Sequence, residues 1–247
     1  MIKRIAPDAD VIDITHGIGP QQVMRGALVL ADTLPYMPVG VHLAVVDPGV
    51  GGPRRPLALR GGDGRLYVGP DNGLLLVAAD RLGGVLEAVE ILNPAFMLES
   101  VAPTFHGRDV FAPAAAHLAR GAALCELGPA LDPGELVRIE LPVARVEPGL
   151  IQASVLAIDR FGNVRLNVTA DELGRAGIAQ GGTVEVEVAA RRYSALVARI
   201  FADVRPGEII LYEDSSGSHA LAVNRGSAAR LLATMVGQEV TLSGERT

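Results

Sequence analysis

The sequence predicts an α/β amino-terminal domain with a largely parallel sheet, followed by a smaller all-β domain of the barrel or sandwich type. Three observations carry this. Between Val11 and Leu141, short apolar runs alternate with Ala- and Leu-rich helical stretches, the pattern of strands laid beside covering helices. Pro142 to Gly149 then carries two prolines and a glycine, a breaker-rich join. Beyond it the rhythm changes to period two, clearest in Thr183–Val188, Thr-Val-Glu-Val-Glu-Val, the mark of a half-buried strand. The expected division is therefore an α/β domain over 1–141, a linker over 142–149, and a β-rich domain over 150–247.

In chain order, Val11–Ile14 reads as a strand and Pro20–Leu34 as a helix with Val23, Ala27 and Leu30 on one face. Val41–Val46 and Leu66–Val68 read as further strands, with helices over Gly73–Leu82 and Asp109–Arg120. Strands that alternate with helices favour a parallel sheet covered on both faces. In the second half, Ile151–Ile158, Val164–Val168, Thr183–Val188, Ala195–Ile200, Ile209–Tyr212 and Ala220–Val223 read as strands of a mostly antiparallel fold, separated by Gly, Asp and Asn clusters.

The composition narrows the function. The 247 residues are 49% hydrophobic and 20% charged, with a net charge of −6. That balance argues against a nucleic-acid partner, whose affinity rests on cations that neutralise phosphates, and against a polybasic membrane surface. Lys3 is the only lysine and Cys125 the only cysteine. Lysine-base chemistry, an intrachain disulfide and a cysteine zinc site are thereby set aside. With no apolar leader and no run of about 20 apolar residues, a cytoplasmic protein is expected.

Ligands of α/β sheets gather where strands end, and four polar, glycine-dense turns fall there: Thr15-His16-Gly17, Asp47-Pro48-Gly49-Val50-Gly51-Gly52-Pro53-Arg54, Gly69-Pro70-Asp71-Asn72-Gly73 and Thr104-Phe105-His106-Gly107-Arg108-Asp109. Each has a plain structural reading. Asp47-Pro48-Gly49 suits a type II turn, Asp71 or Asn72 suits a helix cap, and a lone histidine such as His106 is often structural. The glycine run lacks the Gly-Lys-Ser/Thr of a phosphate loop. His16, His106 and Asp47 lack the close spacing of a metal motif, so no metal is expected. In the β-rich half, Asp159-Arg160-Phe161-Gly162-Asn163 suits a hairpin turn, yet it sets Phe161, one of five phenylalanines, at a turn tip. Asn224-Arg225-Gly226-Ser227 reads as a strand end that enters a short helix capped by Ser227.

Taken in order, these segments resemble the S-adenosyl-L-methionine hydroxide adenosyltransferase family, relatives of the fluorinases and chlorinases. The resemblance runs over nearly the whole chain: Asp13-Ile14-Thr15-His16, Pro20 to Leu30, Asp47-Pro48-Gly49-Val50-Gly51 with Arg54, Tyr67 to Gly73, Phe105 to Asp109, Asp159 to Asn163, and Asn224-Arg225-Gly226. Each motif is weak alone; the ordered set is specific. It implies a hydrolytic triad of Asp47, Arg54 and His106, flanked by Phe105 and Gly107. It implies that Phe161 and Phe201 pack near adenine, that Asn163 and the backbone around Arg225–Ser227 hydrogen-bond the base, that Asp159 and Ser215 hold the methionine end, and that Asn224 is a further substrate-binding residue. It further implies a homotrimer with each site formed between the first domain of one copy and the second of its neighbour. S-adenosyl-L-methionine is then the substrate, and no cofactor is expected. The family pattern also has a Leu-Thr-Asp-Phe-Gly segment whose aspartate holds the ribose hydroxyls. It has no counterpart here, where Met1-Ile2-Lys3-Arg4 matches the middle of a helix.

The implied reaction is chemically sensible. The sulfonium makes its neighbouring 5′ carbon electrophilic, and methionine leaves as a neutral thioether. The demand falls on the nucleophile, since bulk water has a pKa of about 15.7. In fluorinases the positions that match Asp47 and His106 are tyrosines, and those that match Val50 and Gly107 carry halide-binding hydroxyls, so water is the expected nucleophile here. The alternatives are a binding protein without catalysis, a halogenase, and a methyltransferase; the last would show a glycine-rich turn after its first strand and an acidic ribose clamp.

Overall fold

The computed structural model describes residues 1–244, which form two compact units that divide between Glu140 and Leu141. The first contains α1 (Ile2–Ile5), α2 (Val23–Thr33), β1 (Val41–Leu43), β2 (Pro56–Gly61), β3 (Leu66–Pro70), α3 (Leu76–Arg81), β4 (Val85–Glu90), α4 (Ala112–Ala119) and β5 (Ala130–Leu131). Its five strands lie in the order β1-β3-β2-β4-β5.

This sheet is mixed, which corrects the expectation of a largely parallel one. Only β1 and β3 run parallel; β3–β2, β2–β4 and β4–β5 are antiparallel. The cause is a hairpin. β2 and β3 are joined by a tight turn in which Gly61 N–H donates to the Arg65 carbonyl at 2.8 Å and Gly64 takes φ of +85°, a conformation glycine adopts without cost. So short a join can only make an antiparallel pair, because parallel strands need a crossover of a dozen or more residues. A second correction concerns Val11–Ile14. It forms no strand, and Val11, Ile12 and Ile14 are 48%, 60% and 38% exposed; without a ladder partner its apolar pattern has no sheet to join.

The core of this unit lies between the sheet and α4. Ala58, Val68 and Val89 from the strands meet Val110, Phe111, Ala114, Ala115 and Leu118. Pro113 follows the turn Gly107–Phe111 with no break in the helix, and the Asp109 carbonyl, four residues before it, accepts instead from Leu98 N–H at 2.8 Å. The preceding turn, Gly107–Phe111, is π-helical, and such a turn re-aims the residues around it.

The second unit contains β6 (Arg145–Glu147), β7 (Leu150–Ile158), β8 (Val164–Thr169), α5 (Ala170–Ala176), β9 (Thr183–Val188), β10 (Arg191–Val197), β11 (Ile209–Glu213), β12 (Ser218–Val223), α6 (Ala228–Leu232) and β13 (Glu239–Gly244). The strand β6 lies within the segment expected to be a linker. Seven strands in the order β13-β9-β10-β11-β12-β8-β7 close into a barrel through the β13–β7 pairing. The strands β6 and β8 share one edge of β7, β6 along its first half and β8 along its second. All pairs are antiparallel except β10–β11. Period-two patterning fills the interior: Val184, Val186 and Val188 of β9 and Val164, Leu166 and Val168 of β8 are fully buried. Each such side chain stabilises the fold by roughly 1.5–3 kcal/mol relative to exposure. The helix α5 closes one side. Thr169 Oγ1 accepts from Glu172 N–H and the Glu172 carboxylate accepts from Thr169 N–H, a reciprocal cap, and Gly177 ends the helix at φ of +73°.

His219 of β12 is 6% exposed. Burial holds its imidazole below the ordinary 6.5, against the opposing effects of the Val168 backbone and the Glu213 and Asp214 carboxylates. Unfolding releases a site that binds protons more readily, so this contribution to stability is full above the unfolded value and is lost as pH falls below it. The Tm of the chain should therefore drop as pH falls below about 6.5, and that of a His219→Gln variant should drop less; equal slopes in a thermal melt would contradict this.

Among the described residues no helix is long and apolar enough to cross a membrane.

Candidate active site

In the first unit the site begins where β1 runs on into Asp47. Two side chains from the turn after β3 fix this loop at its ends. Asn72 Nδ2 donates to the Val46 carbonyl at 2.8 Å, just before Asp47. Asp71 accepts from Arg55 Nε at 2.8 Å, just after Arg54, and from Val137 N–H at 2.9 Å. Asp71 is thus a buried ion-pair partner rather than a helix cap; Asn72 Oδ1, by contrast, accepts from Leu74 N–H ahead of α3. Sequence reasoning missed the anchoring roles of Arg55, Asp71 and Asn72.

Between these anchors, Arg54 Nε donates to Asp47 Oδ1 at 2.9 Å and to Oδ2 at 3.0 Å, and its Nη2 also donates to Oδ2. The same Nη2 lies 2.9 Å from His106 Nδ1. A guanidinium has donors only, so Nδ1 is the acceptor, and the imidazole proton sits on Nε2. Arg54 also lies over the Phe111 ring, 5.0 Å from its centroid, a cation–π contact. The Asp47 and Arg54 side chains are only 6% and 9% exposed. Three residues separated in sequence thus form one continuous carboxylate–guanidinium–imidazole array.

The His106 segment is held by Asp109, which is fully buried. Its carboxylate accepts from Ala102 N–H at 2.9 Å and from Arg108 Nε at 2.5 Å, so the loop that carries His106 is pinned at both ends. The Arg108 guanidinium, first, and then the Ala102 hydrogen bond hold the Asp109 carboxyl below its ordinary range. Phe105 is 52% exposed and stacks under Arg108, 4.5 Å from ring centroid to guanidinium. Gly107 is next to His106; a Cβ there would meet only Val45 Cγ1, at 3.7 Å. The two loops touch at Gly51, whose φ is +76° and where a Cβ would lie 2.6 Å from the Pro103 carbonyl oxygen.

In the second unit, Asp159, Phe161, Asn163, Phe201, Asn224, Arg225 and Ser227 line one groove of about 1060 Å³. Phe161 and Phe201 are 63% and 42% exposed, with Arg160 over one face of the Phe161 ring. Asp159 is occupied by its own turn: it accepts from Phe161 N–H at 2.8 Å, Asn163 N–H at 2.9 Å and Asn163 Nδ2 at 2.8 Å. Asn224 Nδ2 donates to the Val204 carbonyl, and Ser227 caps α6 by accepting from Arg230 N–H. Ser215 lies in the turn between β11 and β12 and is not among the groove's lining residues. Tyr212, which sequence reasoning missed, lines the groove with its ring 5.2 Å from that of Phe201; burial, then the Asp159 and Asp214 carboxylates, push its hydroxyl pKa up.

His16 pairs with Asp13 at 3.1 Å, both exposed, and lines a pocket with Thr15, Val45 and Val46. Among the described residues, no group of three His, Cys, Asp or Glu side chains could hold a metal ion.

Residues 1–128 match the SAM hydroxide adenosyltransferase N-terminal domain, and residues 153–241 match its C-terminal domain. The chain belongs to the SAM hydroxide adenosyltransferase family. Within it, the chain is 49% identical to an (R)-S-adenosyl-L-methionine hydrolase of Salinispora arenicola, over 98% of this chain and 90% of that protein. An uncharacterized conserved protein from Thermotoga maritima has a crystal structure similar to this one, with a TM-score of 0.91 at 36% identity, over 98% of this chain and 92% of that one. A fluorinase of an Actinoplanes species is 29% identical, over 98% of this chain and 90% of that protein. The Asp47–Arg54–His106 array therefore belongs to a member of a SAM hydroxide adenosyltransferase family whose relatives include both hydrolases and fluorinases.

Proposed function

We propose that this protein hydrolyses S-adenosyl-L-methionine to adenosine and L-methionine, with water attacking the ribose C5′. The observation that carries this is the array of Asp47, Arg54 and His106, which a protein that only bound its ligand would not need. Water forms the new C5′–O bond while the C5′–S bond breaks, its electron pair staying on sulfur. Methionine departs as a neutral thioether, and one proton leaves the attacking water.

The hydrogen bonds support a division of roles within the array. Nδ1 of His106 is taken by Arg54, so His106 presents Nε2–H, which donates to the water oxygen and fixes its position. Asp47 is the group with lone pairs left to accept the water's proton. Arg54 ties the two together and offsets the charge that develops on oxygen. Much of the acceleration then comes from holding water in line with the departing sulfur. No cofactor enters this scheme.

Val50 and Gly107 supply no hydroxyl for a halide, which favours water as nucleophile. Turnover in chloride-containing buffer, with products separated by chromatography, tests this: adenosine alone is expected, and 5′-chloro-5′-deoxyadenosine would overturn it.

In the second unit, Phe161 and Phe201 give adenine its stacking faces, with Asn163 and the backbone around Arg225–Ser227 as hydrogen-bonding partners. We extend the reading to a homotrimer in which the first unit of one copy and the second unit of a neighbour complete each site, and to action in the cytoplasm. Sedimentation equilibrium checks the trimer.

The contact between Gly51 and Pro103 sets how closely the Arg54 and His106 loops approach. Gly51→Ala should lower kcat by about 100-fold, the scale of a misplacement near 1 Å, with circular dichroism unchanged. Wild-type kcat in this variant would separate the loop contact from catalysis.

A further inference from the structure

The groove in the second unit holds more positive charge than the proposed substrate can use. Arg160, Arg225 and Arg230 all line it, and among the described residues none of the three guanidiniums has a carboxylate partner. Arg160 lies over one face of the Phe161 ring, 4.7 Å from its centroid, so a base stacked on Phe161 takes the other face and has the guanidinium across the ring from it. Arg225 takes φ of +57°, an uncommon conformation for a residue with a side chain. Asp159 is the only acid that lines the groove, and both its oxygens already accept hydrogen bonds from Phe161 and Asn163. This concentration of cation stands on a chain whose net charge is −6.

S-adenosyl-L-methionine presents one carboxylate, one ammonium and one sulfonium. A single anionic group can satisfy one arginine, and its two cationic groups gain nothing from the others. Three unpaired guanidiniums beside aromatic faces fit a different ligand better: an adenine base that carries a chain of phosphates, whose oxygens match the guanidinium fork. We propose that the groove also binds adenine nucleotides, with the 5′-phosphates on Arg160, Arg225 and Arg230, and that they compete with S-adenosyl-L-methionine for the adenine position. This rests on the reading of the groove as the adenosine site. The competition would make turnover depend on the level of adenine nucleotide.

The test is calorimetric titration of the full chain with adenosine, AMP, ADP and ATP at low and high salt, repeated on an Arg160→Gln/Arg230→Gln variant. Affinity should rise along the series, with ATP at least about tenfold tighter than adenosine, the scale of one charge-assisted hydrogen bond. High salt and the double variant should each shrink that ratio, and ATP should raise the apparent KM for S-adenosyl-L-methionine without changing kcat. An equal affinity for adenosine and ATP would overturn the proposal, as would a ratio indifferent to the arginines; arginines engaged by a neighbouring copy would give the first result. If adenosine does not bind at all, the nucleoside reading has failed on its own. Tripolyphosphate then decides the remainder: binding lost in the double variant supports an anion site, and no binding overturns it.

Discussion

Asp47→Asn is expected to lower hydrolysis by about 10²–10⁴-fold, the usual contribution of a positioned general base, while S-adenosyl-L-methionine still binds. The amide keeps the shape of the carboxylate but offers its nitrogen where Arg54 needs an acceptor, and it has no basic oxygen for the water's proton. Asp47→Ala is a harsher change. It leaves the Arg54 guanidinium, 9% exposed, without its partner, and loss of one member of a buried pair costs about 3–5 kcal/mol. The two variants therefore separate chemistry from folding. The Asn variant, which keeps one acceptor oxygen for Arg54, should lose less stability than the Ala variant and yet turn over as little. Single-turnover assays with product chromatography, beside thermal melts, check this. Wild-type turnover in the Asn variant would remove Asp47 from the reaction.

The second large effect is expected at Gly162. Its φ is +84°, and a Cβ there would lie 2.0 Å from Ser227 Oγ and 2.8 Å from Ser227 Cβ. The Gly162 carbonyl also accepts from Ala229 N–H at 2.9 Å, which holds the Asp159–Asn163 turn against the start of α6. Gly162→Ala should force the turn away from Ser227 and spread the groove walls that carry Phe161 and Arg225. Adenosine affinity is expected to fall by at least about tenfold, equivalent to roughly 1.4 kcal/mol. The double variant Gly162→Ala/Ser227→Ala relieves the clash with Oγ but not the unfavourable φ, so it should recover only part of the loss. Coupling of this kind marks residues in contact. Titration of adenosine into the three proteins measures it, and additive losses would mean that the two positions act separately.

Legibility from sequence differed between the two units for physical reasons. In β8 and β9 burial alternates residue by residue, so the sequence pattern of Thr183–Val188 marks the bounds that the strand has. In the first half the same reasoning failed at the sheet. Pro56–Gly61 opens on proline and sits behind a run of glycines, so the hairpin that makes the sheet mixed was hidden by its own turn residues. Val11–Ile14 has the pattern of a strand, but pairing decides a strand, and it has none. The Asp47, Arg54 and His106 set was visible only through the ordered family motifs, since nothing in their spacing shows that Arg54 reaches both neighbours. The anchors were invisible for a related reason: Asn72 binds a carbonyl 26 residues away and Asp71 an amide 66 residues away. Ser215, implied only by the family resemblance, lies in the turn between β11 and β12, outside the groove lining.

In the proposed reaction, water directed by Asp47, Arg54 and His106 attacks C5′. Its most direct measurement is turnover of S-adenosyl-L-methionine by the 247-residue chain in oxygen-18 water, with both products read by mass spectrometry. Adenosine that carries the heavy oxygen, together with unlabelled methionine, is the predicted result. Unlabelled adenosine, or label that appears in methionine, would contradict attack at C5′.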